Sequence, residues 1–363
     1  MRGKYHIDPD INKSRTLPAA FYRDEEIFEK IKEQVFYRSW QWIGHKNLLQ
    51  NNQDAYPFTL LDGFLTEPMV ITKDKEGIYH CLSNVCTHRA NIVVNKAGTY
   101  KKLSCRYHGR RFALNGHFEF MPEFQEVEDF PSSCDNLYKF PLLEWGPWLF
   151  AGLNPAYKIE TVLEQFNERV GFLPLEDFVP DERRSKDYFV NAHWALYCDN
   201  FLEGFHIPFV HQDLNTVLDY GDYETLLFDQ MNLQIGYARE GEDIFDLPSD
   251  HIDFGKQVAA YYFWVFPNMM FNFYPWGLSV NIVEPLKTDR TRVRFLSFVY
   301  DSSKLDEGAG AGLDKVEIED EEVVEGVQLG IRSKFYKAGR FSPSREKGVH
   351  HFHRLLAQFL NNS

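Results

Sequence analysis

Two short cysteine–histidine motifs carry the clearest chemical signal in this chain of 363 residues. Cys86 and His88 are separated by one residue, and Cys105 and His108, further along, by two. Together they offer two thiolates and two imidazoles, the ligand set of a [2Fe–2S] centre with two cysteines on one iron and two histidines on the other. Neutral histidines leave such a cluster less negative than four thiolates would, so it accepts an electron more readily.

A structural zinc site is the competing interpretation of the same four residues, because zinc is also bound by two cysteines and two histidines. In most zinc sites, however, cysteine pairs with cysteine and histidine with histidine, at other spacings. The interleaved order of the two residue types therefore favours the iron–sulfur cluster.

A second group of candidate ligands lies near residue 200. The segment 193–206 fits a single helix with an apolar face and an opposite polar stripe. The polar stripe consists of Asp199, Asn200, Glu203 and His206. Pro208 then ends the predicted helix, which would allow His206 and His211 to turn toward one metal ion. The alternative is a solvated polar face with two incidental histidines.

A predicted C-terminal helix supplies a third candidate ligand. Between Val316 and Ile331 the apolar positions form one stripe, and Asp320 falls in its middle. A carboxylate on a buried face is costly unless it is paired or bound to metal. Two histidines with one carboxylate form the facial triad of non-haem Fe(II) oxygenases, which leaves coordination positions open. The alternative is an error in the phase of the predicted helix.

The composition argues against several classes of protein. The net charge of −14 argues against nucleic-acid binding, and no apolar run is long enough to predict a membrane span. The first residues lack the apolar core of a signal peptide. Beside the two cluster cysteines, Cys81, Cys134 and Cys198 form an odd remainder, which predicts free thiols rather than disulfides and hence a reducing cytoplasm.

One local charge pattern runs against the acidic total. From Cys86 to Phe112 there are seven basic residues and no acidic one. This run is either a solvated loop surface or a docking site for an acidic electron donor, at the place where electrons must enter the protein.

The elements that must position these residues differ along the chain. Residues 24–37 predict an acid-started helix, and short apolar runs between turn signals predict a strand-rich region that closes near residue 152. Both cysteine–histidine motifs lie in loops of that region. Beyond it helix and strand mix, and the aromatic run 257–283 predicts strands whose side chains mostly form core.

With both ligand groups identified, the chain resembles the large (α) subunit of Rieske non-haem iron oxygenases over essentially its full length. The matching residues are Cys86, His88, Arg89, Cys105, His108 and Gly109, the stretch 199–206 with His211, and Glu319, Asp320, Glu325 and Gln328. The resemblance implies an α+β fold with a β-rich Rieske [2Fe–2S] domain at 40–152 and a helix-grip catalytic domain with an antiparallel sheet at 153–363. Residues 1–39 would form a helical arm that packs on the catalytic domain.

The resemblance also assigns roles to residues. Cys86, His88, Cys105 and His108 would bind the cluster, and His206, His211 and Asp320 would hold a mononuclear Fe(II). Glu203 and Asn200 would be catalytic, with Glu203 as the acid that bridges cluster and iron, directed to one side of His206 by the helix. Family members are commonly trimers in which one subunit's cluster serves the neighbouring subunit's iron. Arg110 is a departure, because the family commonly has Trp there.

The C-terminal segment narrows the resemblance. Gly339–Ser342, Glu346 and His350–His353 look like the branch that acts on quaternary amines such as choline, betaine or carnitine. The implied reaction is hydroxylation, with possible N-demethylation, by O2 and electrons from an NAD(P)H-linked ferredoxin or flavin/iron–sulfur reductase, and an aromatic cage could hold the cation. Aromatic-ring hydroxylation is the alternative, and a Rieske electron carrier without oxygenase activity is a remoter one.

Overall fold

A computed structural model describes residues 5–211, 213–217, 221, 223–305 and 308–361. The chain divides into two compact units, one formed by Tyr37–Tyr157 and the other by the segments up to Phe36 and from Lys158 onward. The domain boundaries predicted after residues 39 and 152 lie three and five residues from these limits. None of the described helices is long and apolar enough to cross a membrane.

The Tyr37–Tyr157 unit is built of short antiparallel strands. In chain order they are β1 Trp40–His45, β2 Asp54–Leu60, β3 Glu67–Lys73, β4 Tyr79–Ser83, β5 Gly98–Thr99, β6 Leu103–Ser104, β7 Arg111–Phe112, β8 Phe118–Phe120, β9 Lys139–Phe140, β10 Leu142–Trp145 and β11 Trp148–Gly152. They form sheets in the orders β1-β11-β10, β5-β2-β3-β4-β9 and β6-β7-β8. The predicted strand-rich region is confirmed, and the two motifs lie in its loops, one after β4 and one between β6 and β7.

The other unit is centred on one seven-stranded antiparallel sheet. Its strands are β12 Val179–Val190, β13 Glu224–Phe228, β14 Met231–Tyr237, β15 Val258–Val265, β16 Met269–Tyr274, β17 Gly277–Lys287 and β18 Arg290–Val299. Their order in the sheet is β12-β18-β17-β16-β15-β14-β13. β16 is buried at every position and β15 at all but one, so both faces at the centre of the sheet are covered. The aromatic run therefore forms core strands, as predicted.

Helices flank this sheet and complete the α+β fold predicted from the sequence. They are α1 Glu25–Ile31, α2 Glu160–Val170, α3 Trp194–Phe201, α4 Ile207–Val210, α5 Leu214–Val217, α6 Leu313–Gly330 and α7 Lys347–Asn361. α3 packs against β17, α6 and α7. The N-terminal segment contacts the same unit, since the Leu17 amide donates to His353 Nδ1 at 3.1 Å. α1 starts after Asp24, whose carboxylate accepts hydrogen bonds from two amides of the first turn.

The single helix predicted over 193–206 is wrong. α3 ends at Phe201, and Pro208 lies inside the first turn of α4 instead of ending the first helix. The carboxylate of Glu203 accepts hydrogen bonds from the backbone amides of Phe205 and His206. These amides therefore need no carbonyl from a continuous helix, and the chain can turn before α4 begins.

The buried face of α6 also differs from the prediction. Glu317, Val324 and Gln328 are buried, whereas Val327, assigned to the apolar stripe, is 43% exposed. Helical spacing places Asp320 on the same face as these buried residues. The inward position of Asp320 is therefore as predicted, but the face around it is largely polar.

Candidate active site

The two cluster loops share one backbone geometry. The Cys86 amide donates to the Asn91 carbonyl and the Ala90 amide donates to the Cys86 carbonyl, both at 2.9 Å. The segment Cys105–Arg110 repeats this pattern at 2.8 and 3.0 Å. The residue four positions after each cysteine, Ala90 or Gly109, has a positive φ of 54° or 76°. Each motif is thus a closed turn that holds its cysteine and histidine at a fixed separation.

The four predicted cluster ligands come together and fit a [2Fe–2S] centre. The ring centroids of His88 and His108 lie 4.8 Å apart, and the thiols of Cys86 and Cys105 are within hydrogen-bonding reach of each other. Both cysteines are buried in one apolar cluster. Burial opposes ionisation of Cys105, but backbone amides and the Asn91 side chain lower its thiol pKa. At Cys105 this favours the thiolate that a metal requires, whereas burial raises the pKa of the Cys86 thiol.

Arg110, the departure from the family pattern, connects the two cluster loops. It is 2% exposed, and its guanidinium donates to the Asp135 carboxylate at 2.6 Å and to the Asp135 carbonyl at 3.1 Å. Thr87 of the first loop donates to the same carbonyl at 2.8 Å. The guanidinium also lies 4.9–5.8 Å from the centroids of three aromatic rings, those of Phe112, Phe118 and Phe130. A buried ion pair therefore packs where the family commonly has an indole.

The basic run around the motifs is only partly free to attract a donor. Arg110 is buried, and the Lys102 ammonium lies 2.6 Å from a carboxylate oxygen of Glu119. The other five basic residues of the run are exposed: Arg89, Lys96, Lys101, Arg106 and Arg111. Five of the seven basic residues in the run therefore form the positive surface near the motifs.

The two candidate iron-binding histidines lie at the two ends of α4. His206 immediately precedes this helix and His211 immediately follows it, and their ring centroids are 5.1 Å apart. The backbone of His211 has left the helical conformation, with φ −105° and ψ 78°. The predicted convergence is thus present, but a short helix of its own produces it.

Each of these imidazoles has a carboxylate on its Nδ1. His206 Nδ1 is 2.7 Å from Glu203 Oε1, and His211 Nδ1 is 2.8 Å from Glu319 Oε2. A carboxylate on one ring nitrogen fixes the tautomer and leaves the other nitrogen free to bind a metal. Those other nitrogens, the two Nε2 atoms, lie 3.5 and 3.0 Å from Asp320 Oδ1.

His206, His211 and Asp320 fit a mononuclear iron site. One ligand atom from each lies within 4.8 Å of the others, and two imidazoles with one carboxylate are the donor set of non-haem Fe(II). Asn200 Nδ2 donates to Asp320 Oδ1 at 2.5 Å, which orients the carboxylate. The helical offset predicted for Glu203 does not apply, because α3 ends before this residue.

A cavity of about 110 Å³ opens beside the triad. Its wall includes the three triad residues, Glu203 and Glu317, and four tyrosines: Tyr197, Tyr223, Tyr262 and Tyr274. The ring centroids of Tyr262 and Tyr274 are 5.9 Å apart in an edge-to-face arrangement, and Tyr223 stacks on Tyr262 at 6.5 Å. Burial raises the pKa of Tyr223 and Tyr274 well above that of a free phenol, so the hydroxyls stay neutral.

Sequence reasoning missed part of this wall. The unpredicted lining residues include Tyr223, Gln234, Asn272, Asn281 and Glu317. The three amides lie on β14, β16 and β17, and a polar residue in an otherwise buried strand was the available signal. Glu317 lies off the apolar stripe predicted between Val316 and Ile331 or at its edge, so the hydrophobic pattern did not mark it as buried. Setting the phase of that helix by Asp320, Val324 and Gln328 would have placed it inward.

Comparisons with known proteins match both the strand-rich unit and the unit with the seven-stranded sheet. Residues 39–131 match the family model of the Rieske [2Fe-2S] domain, and residues 175–362 match that of the ring hydroxylating alpha subunit (catalytic domain). Chloroplastic choline monooxygenase of Arabidopsis thaliana is 30% identical, over 96% of this chain and 84% of its own. The carnitine monooxygenase oxygenase subunit of Escherichia coli (strain K12) is 28% identical, over 94% and 93%. A solved quaternary ammonium Rieske monooxygenase has a TM-score of 0.77 at 22% identity, covering 98% and 100%.

The chain therefore belongs to the Rieske non-haem iron oxygenases, as a large (α) subunit, and is an enzyme of that class. The cofactors of this class are a Rieske [2Fe–2S] cluster and a mononuclear iron, and the two donor sets described above fit both. The zinc interpretation of the cysteine–histidine motifs is wrong. Members of the class take electrons from a reductase or ferredoxin and act on small substrates.

Proposed function

We propose that this oxygenase hydroxylates a quaternary amine, with loss of an N-methyl group as formaldehyde where the hydroxylated carbon is a methyl. The cavity carries the proposal, because its described wall combines tyrosine rings with carboxylates and contains no lysine or arginine. An aromatic face attracts a cation that lies within about 6 Å of the ring centroid. Two of the relatives are named as choline and carnitine monooxygenases.

The size of the cavity supports a compact substrate group. A cavity of about 150 Å³ lined by apolar side chains accepts benzene, whereas this one has about 110 Å³. A trimethylammonium group is closer to this size than a fused aromatic ring system is. Aromatic-ring hydroxylation is therefore the less favoured reaction.

The overall reaction converts one C–H bond, O2, two electrons and two protons into one C–OH group and one water. When bound, the cluster supplies single electrons and the mononuclear iron supplies the activation of O2. We assign the cluster to Cys86, His88, Cys105 and His108 within domain 40–152, and the iron to His206, His211 and Asp320 within domain 153–363.

The protein's own groups prepare the iron site. Glu203 and Glu319 hold the tautomers of the two imidazoles, and Asn200 holds Asp320. The tyrosines and apolar residues of the wall keep bulk water from the substrate. The acidic lining would attract the cationic substrate to this end of the cavity.

The remaining assignments concern partners and assembly. We assign electron delivery to an NAD(P)H-linked ferredoxin or reductase that docks on the exposed basic residues near the cluster. We also propose a homotrimer in which Glu203 bridges the iron site to the cluster of the neighbouring subunit. The free thiols at Cys81, Cys134 and Cys198 favour a cytoplasmic location.

The test is substrate-dependent O2 consumption by the purified oxygenase with a surrogate reductase. We expect consumption coupled to product formation with choline, betaine or carnitine, and none with aromatic hydrocarbons. Coupling to aromatic compounds alone would establish ring hydroxylation instead. Metal analysis should give three irons per chain, since an electron carrier with an empty second site would hold two.

A further inference from the structure

Glu317 is a buried acid in the wall of the cavity beside the triad, and one of its two carboxylate oxygens has no hydrogen-bond partner among the described residues. It lies on α6, three residues before Asp320, and is 2% exposed. Its Oε2 accepts a hydrogen bond from the Tyr197 hydroxyl at 2.5 Å. Its Oε1 is buried and has no hydrogen-bond partner among the described residues.

The surroundings of Glu317 leave its charge uncompensated. Burial, opposed by the Tyr197 hydrogen bond, raises the pKa of this carboxyl well above its usual range, and the charges of Asp320 and Glu321 add to the effect. The described wall of the cavity has no basic side chain. The internal residues left undescribed, 212, 218–220, 222 and 306–307, include no lysine or arginine either. A counter-charge can therefore come from a ligand.

A buried carboxylate is stable when a cation or further donors reach it. The positive charge of a bound iron would be compensated in part by its own ligand Asp320. Glu317 and the tyrosines Tyr197, Tyr223 and Tyr262 line the same small cavity. An ammonium group placed there would meet aromatic faces and one carboxylate together, which combines cation–π attraction with a direct ionic contact.

We propose that Glu317 is the counter-ion for the ammonium group of the substrate and the residue that selects cationic over neutral substrates. This proposal rests on the proposed function, because it names the group that recognises the amine. Tyr197 then acts as a positioning residue, whose hydroxyl holds one carboxylate oxygen and leaves the other for the ligand. The competing role is a neutral carboxyl that only anchors α6 to α3 through Tyr197.

The experiment compares one cation with its neutral isostere. Choline and 3,3-dimethylbutan-1-ol have the same shape, and only choline carries the charge. Each is titrated into the iron-loaded enzyme under anaerobic conditions by calorimetry, and the ratio of the two Kd values is the readout. The variants are Glu317→Gln, which removes the charge at nearly constant shape, and Glu317→Asp, which keeps it. Glu322→Gln, an exposed position on the same helix, is the matched control.

We expect the wild-type enzyme to prefer choline, and Glu317→Gln to lower that preference at least tenfold, equivalent to about 1.4 kcal/mol. Glu317→Asp should keep most of the preference and Glu322→Gln all of it. A preference in Glu317→Gln within threefold of the wild type would overturn the counter-ion role while leaving the proposed function intact. Carnitine is titrated into the wild type in the same way, and if the wild type prefers neither choline nor carnitine to the neutral alcohol, both proposals are wrong.

Discussion

Replacing Arg110 by Met should lower the free energy of unfolding of the unit Tyr37–Tyr157, which contains the four proposed cluster ligands. The guanidinium is 2% exposed and pairs with a carboxylate that is 19% exposed. Breaking a fully buried ion pair costs about 3–5 kcal/mol, because it leaves one charge buried and unpaired. Because water can reach part of Asp135 and screens the charge, we expect a smaller loss of about 2–3 kcal/mol. The link from Thr87 through Asp135 to the second cluster loop is lost at the same time.

The assay is thermal loss of the visible absorption of the cluster in the purified holoenzyme. For a unit of this size 1 kcal/mol corresponds to roughly 4 °C, so Arg110→Met should lose its cluster about 10 °C below the wild type. Arg111→Met is the control, because Arg111 is exposed and lies over the Phe120 ring at 4.8 Å from its centroid. If the two variants melt within about 3 °C of each other, the stabilising role of the buried pair is refuted.

The same variant should change the acid stability. Burial works against ionisation of Asp135, but hydrogen bonds from Ser132 and Arg110 hold the pKa of this carboxyl below its usual range. A carboxyl whose pKa is lower in the folded state than in the unfolded state stabilises the fold at pH values above the unfolded-state pKa of about 3.9. This contribution is lost as the pH falls through the folded-state pKa. The difference in melting temperature between the wild type and Arg110→Met should therefore become smaller below about pH 4. A constant difference from pH 7 to pH 3 would contradict this assignment.

Three further outcomes test the iron site and the electron path. Asp320→Ala should reduce the iron content from three to two per chain and spare the cluster absorption; retention of all three irons would exclude this ligand. Glu203→Gln should keep both metal sites and abolish turnover, whereas near-normal turnover would limit Glu203 to positioning His206. The double variant Lys101→Glu with Arg106→Glu should slow reduction of the cluster by the electron donor and weaken the dependence of that rate on ionic strength. The control variant Lys75→Glu should change neither. Equal reduction rates of the double variant and the wild type at low salt would exclude the proposed docking surface.

The proximity of the four proposed cluster ligands could be predicted from the sequence because their geometry is local. Each cysteine and histidine of a motif lie within one closed turn, so their spacing along the chain reports their spacing in the structure. The convergence of His206, His211 and Asp320 was predictable for a related reason. The two histidines are close in sequence, and the position of Asp320 required only the phase of one helix. The prediction of the buried face failed in detail, because Glu317 and Gln328 are polar and a hydrophobic pattern does not mark polar residues as buried.

The helix break before α4 could not be read from residue preferences. The break arises because the Glu203 side chain accepts hydrogen bonds from two backbone amides. The sequence does not predict this contact, since Glu203 stands within an apparently continuous helical pattern. Part of the cavity wall was missed for a different reason. Tyr223, Asn272 and Glu317 are far apart in sequence, and strand pairing and helix docking bring them together.

The four residues of α4 have a thermodynamic consequence. A helix this short cannot persist on its own hydrogen bonds, and the two ends that fix it are the histidines expected to bind the metal. Iron binding and ordering of α4 are therefore coupled. The measured binding free energy of iron is the intrinsic binding free energy less the free energy needed to order this segment. Substitutions of α4 residues that do not contact the ion should alter iron retention, and the seven-stranded sheet should remain folded when the ion leaves.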